Sequence, residues 1–266
     1  MAKLMWDKTG ERFFETGVHH CVVYPFTSAN NGKGFFYNVD ETAESNKKYS
    51  NYGPGVAWNG ISSISESADG GDSNPIYADD IKYIDLRSLE DLNLSLEAYM
   101  YPVEFAVLDG SADLGNGIMI GQQRRQMFGL SYETRVGNDV DYEDYSRKIH
   151  LVYGCMAAPT EKGYETINDS PEAITFSWDI STTPIAVEIA GKSYKPTSIL
   201  TIEVNEKLLD PTNDAEGAAA YRAAYKKLTD ALYGVDADST ATPPIAQSQP
   251  YLPTPKEVYA FFNPGS

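Results

Sequence analysis

Apolar and polar residues alternate with a period of two along much of this chain. The pattern is clearest at residues 173–181, where every second side chain is apolar: Ile174, Phe176, Trp178 and Ile180. Successive side chains of a β-strand point to opposite faces, so this pattern predicts a strand with one buried face. Residues 92–100 show the same alternation. Alternation or flanking turn residues predict further strands at 17–24, 56–66, 76–83, 128–136, 149–155 and 200–204.

Two segments break the strand pattern and predict helices. Residues 102–108 begin with Pro102, which the first turn of a helix tolerates. Residues 215–233 carry an apolar stripe at helical spacing, and Asn213 and Glu216 have the spacing of a capping box. Many short strands with few helices are typical of a mainly β sandwich or barrel.

Two long stretches show neither period. Residues 28–54 are rich in Asn, Gly, Lys and Tyr, and residues 235–255 are rich in Pro, Ser, Thr and Ala. Loops of this length are uncommon in compact domains, so we expect binding loops or linkers, which in a self-assembling protein would order between subunits. The chain is therefore divided into a β domain at 1–210, with a long loop at about 28–54, and a C-terminal helix with a Pro-rich extended arm at 211–266.

The chain is strongly acidic, with 38 acidic against 21 basic residues and a formal net charge of −17. Binding to a phosphate backbone needs clustered cations, and no run of Lys or Arg is longer than two residues. A protein that grips nucleic acid is therefore disfavoured, whereas the acidity suits either a surface that repels DNA or simple solubility. No apolar run is long enough for a signal peptide or a membrane span, so we expect synthesis in a cytosol and no membrane contact.

The histidines and cysteines offer little material for catalysis or metal binding. There are three histidines, His19, His20 and His150, and two cysteines, Cys21 and Cys155. Because side chains alternate along a regular strand, the adjacent residues His19, His20 and Cys21 are expected not to converge. We therefore predict no catalytic residue, no metal site and no cofactor, and we expect both cysteines to be reduced thiols half-buried in strands.

Aromatic residues make up 12% of the chain and include 19 tyrosines. Tyrosine is enriched at protein interfaces because it contributes a large contact area with a polar tip, but a sugar-binding face has a similar composition. Composition thus leaves open a self-associating protein, a carbohydrate-binding β-sandwich and a glycosidase. The carbohydrate-binding protein would be expected to carry an export signal, and the glycosidase would need two carboxylates in a cleft.

Short sequence motifs give more information about function than the composition does. Residues 52–67, with the sequence YGPGVAWNGISSISES, resemble the signature of major tail proteins from bacteriophages with long non-contractile tails. The likeness continues in order over nearly the whole chain, at residues 5–11, 75–83, 96–99, 101–105, 109–110, 120–123, 128–132, 137–139, 168–173 and 251–253. It departs from the family at residues 30–50, which are longer than the usual connection, and at 212–242, which match weakly.

The resemblance implies a two-sheet β-sandwich tail-tube fold with a flanking α-helix. It also implies a non-enzymatic virion protein, whose sheets join between subunits into hexameric β-barrel rings that stack into a tube for DNA ejection. Strand edges left unpaired on one subunit would be completed by the next. The implied partners are further copies of the chain, the tape measure protein, the tail terminator and the baseplate or distal tail proteins, with assembly in the host bacterial cytoplasm. The inner tube of a contractile injection system is a close alternative, which would need a sheath partner.

The resemblance also gives the acidity a purpose. Duplex DNA carries a charge about every 1.7 Å, and an acidic wall would keep it from adhering within a screening length of about 8 Å. We therefore expect a net-negative lumen through which viral DNA passes without specific binding. The candidate lumen-facing acids are Glu66, Asp69, Asp72, Asp79 and Glu97.

Overall fold

A computed structural model describes residues 6–25, 55–71, 73–87, 90–164, 166, 173–213, 215–238, 240 and 247–264. The predicted loop at about 28–54 and the candidate Asp72 lie outside these ranges. The elements within them are, in chain order, β1 (Phe14–Pro25), β2 (Val56–Ala57), β3 (Ile61–Asp69), β4 (Ser73–Ala78), β5 (Ile81–Arg87), β6 (Asp91–Ala98), α1 (Val103–Leu108), β7 (Ala112–Asp113), β8 (Met119–Ile120), β9 (Phe128–Asn138), β10 (Tyr142–Lys162), β11 (Phe176–Thr182), β12 (Ile185–Ile189), β13 (Lys192–Thr197), β14 (Ile199–Val204), α2 (Glu206–Leu209), α3 (Ala218–Tyr233) and α4 (Pro255–Phe262).

One antiparallel sheet dominates the structure. Its strand order is β2-β1-β9-β10-β11-β6-β3, and β14 pairs with β10 beside this path. The two ends of the sheet are close in sequence, since only residues 58–60 separate β2 from β3, and β3 also contacts β1. The sheet therefore curls, but within the described residues no ladder joins its ends into a closed barrel.

The long strand β10 connects the two halves of this sheet. Its first part, from Arg147 to Val152, pairs with β14 and β9, whereas its last part, from Cys155 onward, pairs with β11. Gly154 lies at the irregularity between these parts with a φ of +66°, and a Cβ at this position would come within 2.2 Å of the Thr183 carbonyl oxygen. Only glycine fits such a close approach in this conformation, which lets one strand change partners.

The first hydrophobic core lies inside the curl of the sheet. Side chains from β1, β6, β9, β10 and β11 enclose it, and α1 inserts Phe105 and Leu108. The Phe105 ring packs against Trp58, Phe128 and Trp178, with centroid distances between 4.1 and 5.5 Å. Tilted and edge-on aromatic contacts of this kind favour a single arrangement of the rings.

The second core lies on the other face of β1, β9 and β10, beneath the C-terminal helices. Leu228 and Leu232 of α3 and Val258 of α4 pack there against β10 and β14 side chains. The buried residues of α3 recur at helical spacing: Ala218, Ala224, Leu228, Ala231 and Leu232. Parts of these strands are consequently buried on both faces. The last five residues of β1, 21–25, are all buried, although its first seven are exposed or half-buried.

The mainly β prediction is confirmed, whereas the two-sheet sandwich stays a prediction. Residues 76–83 were expected to form one strand, which is wrong, because Asp79 and Asp80 adopt left-handed conformations and form the turn between β4 and β5. The helix at 102–108 is found as α1. The cap expected for α3 is also wrong, since Gly217 is its N-cap and no side chain caps it. Among the described residues, no helix combines the length and apolar content needed to cross a membrane.

Candidate functional site

Most apolar and polar side chains separate onto opposite faces of β3, β6 and β11, although Glu66 of β3 lies on the inner face. Leu94 and Leu96 of β6 lie in the first core, and the ladders place Ile64 and Ile180 on the same inner face. The alternate positions face outward and carry hydroxyl, amide or carboxylate groups: Ser63, Ser65, Ser67, Asp69, Asp91, Asn93, Ser95, Glu97, Ser177, Asp179 and Ser181. We call this surface the acidic sheet face.

The acidic sheet face has one sign of charge. Its charged members are Asp69, Asp91, Glu97 and Asp179, and it contains no Lys or Arg. Asp69 lies directly opposite Asp91 in the ladder, and Ser63 donates a hydrogen bond of 3.1 Å from its hydroxyl to a Glu97 carboxylate oxygen. Serine side chains and Asn93 fill the remaining positions, so the surface is polar and negative.

The structure brings together some of the predicted lumen acids and separates others. Glu97 and Asp69 lie on the acidic sheet face. Glu66 lies directly opposite Leu94 in the β3–β6 ladder and is therefore on the inner face. Asp79 lies in the exposed β4–β5 turn. Sequence reasoning missed Asp91 and Asp179, although the period-two alternation that predicted β6 and β11 also assigns both residues to the polar face.

Glu66 belongs to a polar cluster at one end of the first core. Tyr132 donates a hydrogen bond to its carboxylate, and His150 Nδ1 lies 3.5 Å from its Oε1. The His150 ring stacks on Tyr132 with an interplanar angle of 7°. Glu15 Oε1 is 3.6 Å from His150 Nε2, and Glu15 Oε2 is 2.5 Å from Lys148 Nζ. Side chains from four strands therefore meet around one imidazole.

Burial sets the protonation of this cluster. Desolvation lowers the pKa of His150 below its ordinary value, although Glu66 and Glu15 act in the opposite direction. For Glu15, burial raises the pKa, but the hydrogen bond from Lys148 and other favourable contacts outweigh it and the net pKa is lowered. At neutral pH the imidazole of His150 is therefore neutral.

Two β-hairpins expose apolar side chains. Among the described strands, β4 and β5 pair only with each other, and their exposed large side chains are Ile76, Tyr77, Ile81, Tyr83, Ile84 and Leu86. Tyr83 is 71% exposed. The shorter β7–β8 hairpin exposes Leu114, Ile118, Met119 and Ile120. Apolar groups concentrated in this way are typical of protein–protein contacts.

A second polar cluster surrounds Glu133 on the helix-covered face of β9. Its side chain is 2% exposed, and Tyr233 of α3 donates a hydrogen bond to its Oε1. Its Oε2 lies 3.4 Å from His19 Nε2, 3.3 Å from His20 Nδ1 and 3.9 Å from Arg147 Nη1. No hydrogen bond to Oε2 is formed by any of the described residues.

The expectation that His19 and His20 cannot converge is wrong. The β1–β9 ladder is irregular on both sides of His19, and His20 has a φ of +50°. A bulge interrupts the alternation of side chains, so both imidazoles reach Glu133. Cys21 stays in the first core, and both cysteines, expected to be half-buried, are fully buried, which raises the pKa of each thiol. Burial also lowers the pKa of His19, although Glu133 opposes the shift.

Comparisons with known proteins add little to this geometry. No family model matches the chain, and no curated protein matches it. A solved structure that it resembles is a chain of the anti-feeding prophage baseplate, determined by cryo-electron microscopy with six-fold symmetry. The likeness covers 69% of this chain and 93% of that chain, with 11% sequence identity and a TM-score of 0.29. A score this low does not establish a shared fold.

Proposed function

We propose that this chain is the structural subunit of a bacteriophage tail tube, of the major tail protein type found in long non-contractile tails. In this proposal hexameric rings of the chain stack into a hollow conduit for DNA ejection. The acidic sheet face carries the proposal, because it is an exposed, cation-free surface on a sheet whose inner face is a packed core. The ordered motifs that resemble this family support the same assignment.

The chemistry of the acidic sheet face suits a wall past which DNA must slide. Carboxylates repel the phosphates, and at physiological salt this repulsion acts over about 8 Å. Serine and asparagine side chains keep the wall hydrated without supplying the clustered cations that hold a phosphate backbone. Repulsion would keep a DNA duplex from adhering along this part of the tube. The carboxylates responsible are those of Asp69, Asp91, Glu97 and Asp179.

The edges and hairpins supply means of assembly. Strand β3 ends the sheet and, among the described strands, pairs with β6 alone, so its outer edge can accept a strand of a neighbouring subunit. The apolar side chains of the β4–β5 hairpin would then be buried between copies. Contacts of both kinds convert an incomplete monomer into a closed ring.

The remaining parts of the proposal follow from this role. The chain acts without catalysis, as a virion component assembled in the host bacterial cytoplasm. Its partners are other copies of itself, the tape measure protein, the tail terminator and the baseplate or distal tail proteins. The acidity of the wall lets viral DNA pass without specific binding.

Negative-stain electron microscopy of the purified full chain tests the assembly. We expect tubes or six-fold rings. Substituting Tyr83→Ser and Ile81→Ser on the β4–β5 hairpin should leave a folded chain that no longer polymerises, since both side chains are more than half exposed. A wild-type chain that stays monomeric, and above all one that binds glycans, would contradict the proposal.

The role of the wall is tested by reversing its charge. Virions assembled with Glu97→Lys and Asp179→Lys should eject DNA more slowly, because the new cations attract phosphates. The control Glu188→Lys makes a single charge reversal at an exposed residue of β12, outside the acidic sheet face, and is compared with Glu97→Lys and Asp179→Lys made singly. Normal ejection through tubes that carry both lysines would refute an acidic lumen formed by this surface.

A further inference from the structure

We propose that His19, His20 and Glu133 form a binding site for one divalent transition-metal ion, with Zn²⁺ the best match. Their ligand atoms lie within 4.8 Å of one another. Imidazole nitrogens and a carboxylate oxygen are donors that zinc prefers. This site is independent of the proposed tube function and lies on a different face of the protein from the acidic sheet face.

The distances suit tetrahedral coordination. Donors that bind zinc at about 2.0–2.1 Å in a tetrahedron are about 3.3 Å apart. Glu133 Oε2 lies 3.4 Å from His19 Nε2 and 3.3 Å from His20 Nδ1. Two edges of the tetrahedron are therefore already formed by the protein. All three ligand atoms lie within 4.8 Å of one another, so the two imidazole nitrogens would have to approach each other by up to about 1.5 Å on binding.

The buried carboxylate gives an independent indication of a missing partner. Glu133 is almost completely buried, yet its Oε2 accepts no hydrogen bond from any described residue. A buried carboxyl oxygen that accepts no hydrogen bond is rare in folded proteins and commonly marks a bound ion or water. Tyr233 donates a hydrogen bond to the other oxygen, Oε1. This contact orients Oε2 towards the imidazoles, as hydrogen-bond partners of the ligands do in metal sites.

Arg147 is a cation close to these three ligands, and Arg135 also acts electrostatically on His19. Its Nη1 is 3.9 Å from Glu133 Oε2, farther than either imidazole. The same guanidinium has its Nε 2.8 Å from Glu206 Oε1 and lies over the Tyr225 ring. Arg147 therefore contacts groups besides Glu133, and the two imidazole nitrogens lie closer to Glu133 Oε2 than the guanidinium does.

The site would be reachable and would tie two strands together. The His20 side chain is 61% exposed, so the ion can enter from solvent and a water molecule can complete the coordination. His19 and His20 lie on β1 and Glu133 lies on β9, so the ion would bridge the ladder at its irregular point. Binding would thus stabilise the bulge against regular alternation.

Calorimetric titration of the full chain with ZnCl₂ tests the proposal. The protein is freed of any affinity tag and of metal before the titration. We expect one Zn²⁺ per chain, and a rise in thermal midpoint of about 5 °C at a hundredfold excess over the dissociation constant. Co²⁺ in the same site should give the strong visible absorption of four-coordinate cobalt rather than the weak absorption of six-coordinate cobalt.

Substitutions decide whether these residues are the ligands. H20A changes an exposed side chain and should leave the fold intact while weakening zinc binding about tenfold or more, and H19A and E133Q should do the same. The matched control H150Q removes the third histidine and should bind zinc as the wild type does. No stoichiometric binding by the wild type, or equal binding by H20A, would overturn the proposal, whatever the stability of E133Q.

Discussion

The two halves of the sheet differ in what covers them. In the covered half, formed by β1, β9 and the first part of β10, one face packs in the first core and the other lies under α3 and α4. In the open half, formed by β3, β6 and β11, the inner face packs in the same first core and the outer face is the acidic sheet face. The covered half is stabilised by packing on both of its faces, whereas in the described part of the chain no helix packs on the outer face of the open half.

The charges follow the same division. The covered half carries both signs of charge, and its acids lie beside cationic or imidazole groups, as Glu15 lies beside Lys148 and Glu133 beside His19. The open half displays carboxylates of one sign, two of them directly opposite each other at Asp69 and Asp91. Like charges across a ladder destabilise a sheet, so this arrangement is not explained by folding and points to a function of the surface.

Adjacent substitutions in β11 should separate the two faces most strongly. Trp178 is fully buried in the first core and Asp179 beside it is exposed. We expect Trp178→Ala to lower the free energy of unfolding by about 3–5 kcal/mol through loss of packing and a residual cavity. Asp179→Ala should change it by no more than about 0.5 kcal/mol. Urea denaturation of both variants, at a concentration where the chain is monomeric, measures the difference.

The control for this comparison keeps the aromatic packing. Trp178→Phe retains a ring and removes an indole N–H that has no hydrogen-bond partner among the described residues, so it should lose much less stability than Trp178→Ala. Similar losses for Trp178→Ala and Asp179→Ala would mean that β11 does not separate a core face from a solvent face.

Local periodicity accounts for what the sequence predicted well. Leu94, Leu96 and Ile180 fall on alternate positions, and burial against the first core requires that order. The same rule assigns Asp91 and Asp179 to the polar face, because both fall on the polar positions of the alternation. The start of α4 is also encoded locally. Thr254 and Glu257 form a capping box, and Pro255 occupies the first turn of the helix.

Non-local geometry accounts for what the sequence did not predict. The bulges that turn His19 and His20 to one side arise from pairing with β9. Gly17, with a φ of +69°, lies at one of them and is a local signal of a bulge, but it does not indicate that both imidazoles reach Glu133. The change of partners along β10 depends on a close approach between Gly154 and Thr183, which are distant in sequence. The β4–β5 turn uses Asp79 and Asp80 in place of the glycine or asparagine that most often marks such turns.

The polar cluster around His150 joins the two halves and should respond to pH. His150 is on β10, and the charged or titratable groups facing it are Glu66 of β3, Glu15 of β1, Tyr132 of β9 and Lys148 of its own strand. Its pKa in the folded protein is below the ordinary value of 6.5. The unfolded chain therefore takes up the proton first as pH falls, and the free energy of unfolding should decrease below about pH 6.5.

The variant His150→Gln isolates this contribution. Denaturation between about pH 7 and pH 5 should show a smaller loss of stability in the variant than in the wild type, even though His19 titrates in the same direction in both proteins. Glu15, whose pKa is lowered, contributes stability that is lost only as pH falls below its ordinary value of 4.5. A wild type and variant with parallel pH profiles would show that the imidazole is not buried between the halves.

The smallest expected effect concerns the acidic sheet face itself. Asp69→Asn removes one of two like charges that face each other in the β3–β6 ladder, so it should raise the free energy of unfolding by about 0.2–0.5 kcal/mol. The gain should shrink at high salt, because screening already weakens the repulsion in the wild type. Urea denaturation at low and high NaCl measures both quantities.

The control for Asp69→Asn is Glu188→Gln, since Glu188 faces Ser193 across its ladder and should yield no comparable gain. If Asp69→Asn instead lowers the free energy of unfolding at low salt, repulsion between Asp69 and Asp91 does not destabilise the open half. A gain in stability accompanied by slower DNA ejection would tie the repulsion to the wall: the surface would then retain charges that weaken the folded chain because the passage of DNA requires them.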